Sequence, residues 1–367
     1  MCDHVRHCGE APRGLVGEVQ QTNTNVVISL AAVVIVIAGM KAASALIVPF
    51  LIAAFLAMIT VRPMLWLQKN RVPTVLAALL IVLTIMAIIT VVGVVVGRSL
   101  AAFTAALPGY QQQLQGIIDG IVAFIAQYTD SDQSVERLGD LINPGWAMGL
   151  AATILNALRD VLTNTLLIIF TMIFILLEAS SFPVKVTAAF GKAASSLERP
   201  QQFLDDLASY LGIKTIVSMV TGMLVWLLTW SIGLDFPQLW GMLAFLLNYV
   251  PTIGSIIAAV PAVLLALVQL GLGEATATAA GFMAINIAFG NFIEPRLMGY
   301  GVGISPLVIF VGLIFWGWVF GPVGMLLSVP LSMTLKLALE SDERTRWIAI
   351  FIGSERDAQY ALSSSRE

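Results

Sequence analysis

Polar side chains inside the apolar stretches of this chain are few, and they are the ones able to do chemistry. Asn248, Thr252 and Ser255 sit in one such stretch, beside Pro251 and Gly254. Asn286 and Asn291 lie on or at the end of the next, and Glu294, Pro295 and Arg296 close it. A polar group at membrane depth is costly unless paired, so each is a functional candidate. Neutral amides and hydroxyls suit a hydrated, sugar-like solute held by orienting hydrogen bonds. The structural alternative for each Asn is a helix cap or a bond between helices. Glu294 and Arg296 read as an interfacial structural pair rather than a proton relay. Trp240, Trp316 and Trp318 read as anchors at the membrane interface rather than ligand stackers.

Other chemistries find little support. Both cysteines and both histidines fall in Cys2-Asp-His4-Val-Arg-His7-Cys8. Such a tract could hold a soft metal ion, but its spacing matches no zinc pattern, so a metal-free tail is the expectation. No nucleophile–base–orienter set can be assembled in the membrane without a histidine there, which argues against an enzyme. Gly191-Lys192 lacks the upstream glycine and the following Ser or Thr of a phosphate loop, and no cofactor is expected. The net charge of −3 excludes a nucleic-acid-binding reading based on overall basicity.

The elements that must position these residues are helices in lipid. The 367 residues are 58% hydrophobic and only 11% charged, with a mean hydropathy of +0.91, where soluble domains carry roughly 25% charge. Two apolar stretches, 238–270 and 304–338, have 33 and 35 residues. As straight helices they would extend roughly 50 Å, against a hydrocarbon core of about 30 Å. Each is broken near its middle, at Asn248-Tyr-Val-Pro251-Thr-Ile-Gly254-Ser255 and at Trp318-Val-Phe-Gly321-Pro322-Val-Gly324. Two re-entrant hairpins with tips near mid-membrane fit this pattern, and irregular backbone at that depth must line a cavity. Gly254, Gly321 and Gly324 would permit the tight turns. The alternative is a pair of long tilted spans.

The chain reads in order as follows. Residues 1–25 form a charged tail without the apolar segment of a cleavable signal. Residues 26–97 hold N-terminal membrane helices: two in 26–61, separated by Lys41, and one in 73–97. Residues 98–160 form an extracytoplasmic segment with three basic and six acidic residues. Its Leu114, Ile117, Ile118, Ile121, Val122 and Ile125 make an amphipathic helical stripe, and Asp130-Ser-Asp-Gln-Ser and Asn143-Pro-Gly signal a loop and a turn. A span and a cytoplasmic connector fill 161–212. The transport core covers 213–340, with spans at 213–232 and 276–293 each followed by a hairpin, in opposite orientations. A tail, 341–367, carries Arg344, Arg346, Arg356 and Arg366. Basic residues place both termini in the cytoplasm. The fold class is therefore all-α and multi-pass, with about six full spans plus two re-entrant hairpins.

Three motifs carry a resemblance. They are Asp235-Phe-Pro-Gln-Leu-Trp-Gly241 followed by Phe245-Leu-Leu-Asn248-Tyr-Val-Pro251-Thr-Ile-Gly254-Ser255; Asn291-Phe-Ile-Glu-Pro295-Arg-Leu-Met-Gly299; and Ser305-Pro306 with Trp316-Gly-Trp-Val-Phe-Gly321-Pro-Val-Gly324-Met-Leu-Leu-Ser-Val-Pro330. Together they resemble the signature of the autoinducer-2 exporter family, over about residues 28–340. The resemblance implies a multi-pass protein of the bacterial inner membrane and a solute site formed by two helical hairpins. It also implies a pentameric homo-oligomer and elevator-like export of autoinducer-2, a small polar furanone-type molecule. Some relatives are described as sodium or lithium/proton antiporters. The expected solute-binding set is Asn248, Pro251, Thr252, Gly254, Ser255, Asn286, Asn291, Ser305, Pro306, Gly321 and Pro322. Asp235, Glu294, Pro295 and Arg296 are the expected structural or coupling residues. The expected partners are a small polar solute, membrane lipid and further copies of the chain. A sodium (lithium)/proton antiporter is the close variant, and a passive oligomeric pore or structural membrane scaffold is the competing class, though a scaffold has no use for two Pro/Gly-broken stretches with polar tips.

Overall fold

The computed structural model describes residues 28, 31–126, 163–190, 198–251, 253–298, 303–340, 344–354 and 359. Thr252, the Cys2/His4/His7/Cys8 tract, the 130–134 loop and the Asn143 turn lie outside these residues. The side chains of the Leu114–Ile125 stripe likewise lie outside the description.

Among the described residues the regular structure is helical, with no strand. Two units are distinguished, Met1–Ile47 and Val48–Glu367. The first holds a short apolar helix, α1 (Ala31–Ala42). The chain turns at Ala43 and enters α2 (Ser44–Lys69). There follow α3 (Thr74–Ala126), α4 (Thr165–Phe190) and α5 (Glu198–Ile232). Then come α6 (Pro237–Leu247), α7 (Ile253–Gln269) and α8 (Leu272–Asn286), which runs through a π-helical segment (Ile287–Ile293) into α9 (Glu294–Met298). The C-terminal part is α10 (Pro306–Leu326), α11 (Ser328–Glu340) and α12 (Arg346–Ile352).

Among the described residues, five helices are long and apolar enough to cross a membrane: Ser44–Lys69, Thr74–Phe103, Gln202–Ile232, Leu272–Met298 and Pro306–Leu326. The last is not a straight rod, because Gly321 (φ 67°, ψ −152°) breaks it. The other four, with the shorter apolar helices Ala31–Ala42 and Thr165–Glu178, are the six elements the sequence indicated. Helix boundaries differ in three places. α3 does not stop at Arg98 but continues to Ala126, with Pro108 inside it. α4 continues past Glu178 to Phe190. α5 starts at Glu198, so the last part of the expected connector and the following span are one helix.

Both long apolar stretches double back. In the first, Gln269 Oε1 at the end of α7 accepts from the Asp235 backbone N–H ahead of α6, at 3.0 Å. Gln269 Nε2 also donates to the Gly233 carbonyl. In the second, Lys336 Nζ on α11 donates to the Gly303 carbonyl ahead of α10, at 2.8 Å, and Trp316 Nε1 donates to Ser332 Oγ. Each stretch therefore returns to the level at which it began, and the pair of long tilted spans is excluded.

Packing without water depends on close approach rather than on expelling solvent, so small residues line the contacts. A Cβ on Gly222 of α5 would lie 2.7 Å from the Gly241 carbonyl oxygen of α6. One apolar cluster joins Val225 (α5), Leu239, Trp240 and Leu247 (α6), Ala262 and Leu265 (α7), Phe282 (α8) and Leu313 (α10), so both hairpins share a core. A second cluster joins α2, α3 and α4 through Ala57, Ile81 and Met172. A third packs Val329 and Met333 of α11 on Leu207 and Leu211 of α5.

Candidate functional site

The first hairpin is fixed at its base and at its tip. At the base, Phe236 takes a left-handed backbone (φ 58°) ahead of Pro237, a conformation that costs a non-glycine residue of order 1 kcal/mol or more. Phe103 of α3 supports it by edge-on ring contacts with Phe236 and Trp240. Trp240 Nε1 donates to the Asp235 carbonyl, and Tyr110 Oη donates to Asp235 Oδ2 at 2.5 Å. Burial and the Asp235 carboxylate push the Tyr110 phenol up to about 12, so it remains a neutral donor at physiological pH. Asp235 is thus a base residue of the hairpin, remote from its tip.

At the tip, Asn248 Nδ2 donates to Ser218 Oγ of α5 at 2.9 Å. Tyr249 Oη donates to Thr215 Oγ1 at 2.8 Å. Pro251 lies in the turn. Gly254 begins α7 so close to α6 that a Cβ there would stand 1.8 Å from the Leu247 carbonyl oxygen. Ser255 is half-buried one residue on. α6 has eleven residues, a rise of about 16 Å at 1.5 Å per residue, roughly half the thickness of a bilayer core.

The second hairpin starts from a capped helix. Ser305 Oγ accepts from the Val308 backbone N–H, and Pro306 occupies the first turn, where a missing donor does no harm. Ser305 and Pro306 therefore stand at the base of this hairpin, while Gly321 and Pro322 stand at its tip. Gly321 adopts a backbone that is essentially restricted to glycine. The chain then folds back until a Cβ on Gly324 would lie 2.0 Å from the Trp316 carbonyl oxygen.

Other expected residues lie elsewhere. Asn286 opens the π-helical segment, with its Oδ1 near Gly290, and Asn291 is exposed on that segment. Neither is brought to a hairpin tip by the contacts of this chain. The reading of Glu294 and Arg296 as a pair is overturned. Glu294 Oε1 accepts from Lys214 Nζ of α5 at 2.5 Å, with side-chain exposures of 16% and 5%, while Pro295 and Arg296 are exposed. Adjacent residues on a helix point in different directions, so the charge two places away could not serve where one on a packed neighbour could. Trp240 and Trp316 are also not interface anchors. Both are buried with their N–H groups bonded inside the protein, and only Trp318 is exposed.

The structure adds residues that the sequence argument missed. Ser218 and Thr221 lie three apart on α5, and both are buried. Ser328, just past the second tip, is also buried. Thr221 Oγ1 and Ser328 Oγ have no hydrogen-bond partner among the described residues. A buried hydroxyl left unpaired is costly, which makes such groups candidates to meet a polar solute. The available signal was a Lys and five hydroxyl residues within the apolar run 213–232.

Comparison with known proteins agrees with this architecture. The sequence model described as "AI-2E family transporter" matches residues 30–342. The chain is 37% identical over 328 residues to the AI-2 transport protein TqsA of Escherichia coli (strain K12), covering 89% of this chain and 95% of that protein. It is 36% identical over 346 residues to a putative transport protein of Haemophilus influenzae, covering 92% and 99%. It is 31% identical over 336 residues to the putative transport protein YhhT of Escherichia coli (strain K12), covering 92% and 96%.

Proposed function

This chain belongs to the AI-2E transporter family, and from that premise we propose that it is a secondary exporter of a small polar solute, with autoinducer-2 the first candidate. It is an all-α, multi-pass membrane protein of a transport family, not an enzyme. The solute assignment takes its support from the printed name of one relative, an AI-2 transport protein. The mechanism takes its support from one observation above all: two Pro/Gly-broken hairpins that return to their own bases and share an apolar core. Discontinuous helices of this kind build solute sites in transporters. Asn248, Pro251, Thr252, Gly254 and Ser255 at one tip and Gly321 and Pro322 at the other form the proposed site, with Ser218, Thr221 and Ser328 added to it. Ser305 and Pro306 cap the base of the second hairpin in this reading. Asn286 and Asn291 would serve as outlying contacts.

Elevator-like movement of the hairpin-bearing core is part of the proposal. Its support is that α2, α4 and the first part of α3 form their own apolar cluster, while the later part of α3, at Phe103, packs on the core shared by the hairpins. We extend it to a homo-oligomer, pentameric by family resemblance, in the bacterial inner membrane with both termini in the cytoplasm. Wide apolar faces remain for lipid or further copies, including Leu79, Leu83 and Phe174.

Exchange of labelled autoinducer-2 across liposomes holding the purified protein tests the site. Asn248→Ala and Ser218→Ala each remove one hydrogen bond of about 0.5–1.5 kcal/mol, so exchange is expected to fall roughly two- to tenfold in both. Asn291→Ala is expected to do less, because that side chain faces outward. Wild-type exchange in both tip variants would remove the tip from the solute path.

Sidedness has its own measurement. In a protein with Cys2 and Cys8 changed to Ser, a cysteine at position 296 is expected to react with impermeant thiol reagents from the cytoplasmic side only. Labelling from the outer side would invert the proposed topology.

A further inference from the structure

The Lys214–Glu294 ion pair is the buried charge that solute binding at the hairpin tips does not use. It lies against the first tip. Lys214 and Ser218 are one turn apart on the same face of α5, and Ser218 holds Asn248. Thr215, the next residue, holds Tyr249. Tyr210, one turn earlier, lies within electrostatic range of both Glu294 and Tyr249. The groups facing Glu294 are therefore Lys214 and Tyr210 from α5. The π-helical segment carries no titratable side chain, and Arg296 on α9 is exposed.

The backbone is specialised to bring Glu294 there. Phe282 of α8 faces the core, and Glu294 lies twelve residues later. An unbroken α-helix advances about 100° per residue, which would carry Glu294 about 120° away from the Phe282 face. A π-helical turn takes up one extra residue, and the remaining eleven bring Glu294 back to within about 20° of it. The segment Ile287–Ile293 supplies that turn immediately before Glu294. Such insertions concentrate at functional sites.

Resting on the transport reading above, we propose that the Lys214–Glu294 pair is the coupling site of this transporter and that it takes a proton rather than a metal cation. The carboxylate already has a fixed cation 2.5 Å away. A sodium ion arriving at the same oxygens would meet the ammonium as a like charge in a low-dielectric setting. A proton brings the same charge, but it needs one lone pair rather than a shell of oxygen ligands, so it can enter a packed pair that has no room for a metal ion. The proton forms an O–H bond on Glu294, the ion pair becomes a hydrogen bond between a neutral acid and Lys214, and the ammonium keeps its own protons. Water on the opposite face takes the proton when the carboxylate reforms. Each cycle thus alters the hold on Lys214, one turn from the anchor of the hairpin tip.

The test uses the purified full chain in liposomes with an internal pH-sensitive dye and autoinducer-2 as the probe. Wild-type protein is expected to move protons when an autoinducer-2 gradient is imposed, equally well in sodium and in choline buffer. Glu294→Gln has the shape of the protonated acid, and its amide oxygen still accepts from Lys214. Because the ammonium loses its counter-charge, the variant is expected to be less stable, so the readout is taken on folded, reconstituted protein as protons moved per autoinducer-2 exchanged, which is expected to fall to the level of protein-free liposomes. Persistent solute-driven proton movement in Glu294→Gln overturns the proposal. So does a wild-type flux that needs sodium, a result independent of whether the variant folds. Absence of autoinducer-2 exchange in wild-type protein would instead overturn the solute reading.

Discussion

Gly254→Ala is expected to destroy the first hairpin. The new methyl would have to stand 1.8 Å from the Leu247 carbonyl oxygen, roughly half a contact distance, and backbone rather than a flexible side chain blocks it. The two arms must then separate at the tip, which also pulls Asn248 away from Ser218 and Tyr249 away from Thr215. We expect a loss of about 3 kcal/mol or more, at the upper end for overpacking. Solute exchange is expected to be absent at any temperature where the protein stays folded. Gly324→Ala should behave alike, since its methyl would meet the Trp316 carbonyl oxygen at 2.0 Å. Gly321 provides the contrast: nothing lies within 4 Å of an added Cβ, so Gly321→Ala should cost only the strain of its backbone angles, about 1–3 kcal/mol. Melting curves of the three variants in detergent check the order. A Gly254→Ala protein that melts and transports like wild type would mean that the arms do not meet as described.

Lys214→Ala is expected to be the most damaging surface-remote charge change. The pair is buried on both sides, with exposures of 5% and 16%, so removing the cation strands a carboxylate away from water. Breaking one side of such a pair typically costs about 3–5 kcal/mol. Much of that cost comes from the orphaned partner rather than from the lost attraction, which dictates the second half of the expectation: Lys214→Ala/Glu294→Ala should be more stable than Lys214→Ala alone. Denaturant unfolding or thermal aggregation of the single and double variants measures this. Equal stability of the single variant and wild type would show that the pair is not buried in the membrane-embedded protein. By contrast, the exposed Lys185–Glu178 pair, with side-chain exposures of 63% and 55%, should tolerate Lys185→Ala with little change.

The resemblance to an exporter family and the hairpin geometry support one another because they rest on the same residues. Asn248, Pro251 and Gly254 belong to the motif and also form the tip. Asp235 belongs to the motif but works at the base, where its carboxylate accepts from Tyr110, its carbonyl accepts from Trp240 and its backbone N–H donates to Gln269. Motif residues are therefore of two kinds, those that shape the hairpin and those placed where a solute would meet it.

Sequence alone determined the membrane class, the helical fold and the doubling back of both stretches. Length against bilayer thickness is a local property of the chain, and a Pro/Gly break in an overlong apolar run has few other outcomes. The caps were legible for the same reason: Ser305-Pro306 can be read as a helix start from two adjacent residues. Partner choice was not legible. Glu294 has Arg296 beside it in sequence, yet a π-helical turn and the packing of α5 give it Lys214, eighty residues earlier. Trp240 and Trp316 carry the composition of interface anchors, but tertiary contacts bury them. The close approach of α5 and α6 at Gly222 and Gly241 was likewise not legible. Those features arise from the meeting of distant segments, and the order of residues along one helix does not specify which face another helix will present to it.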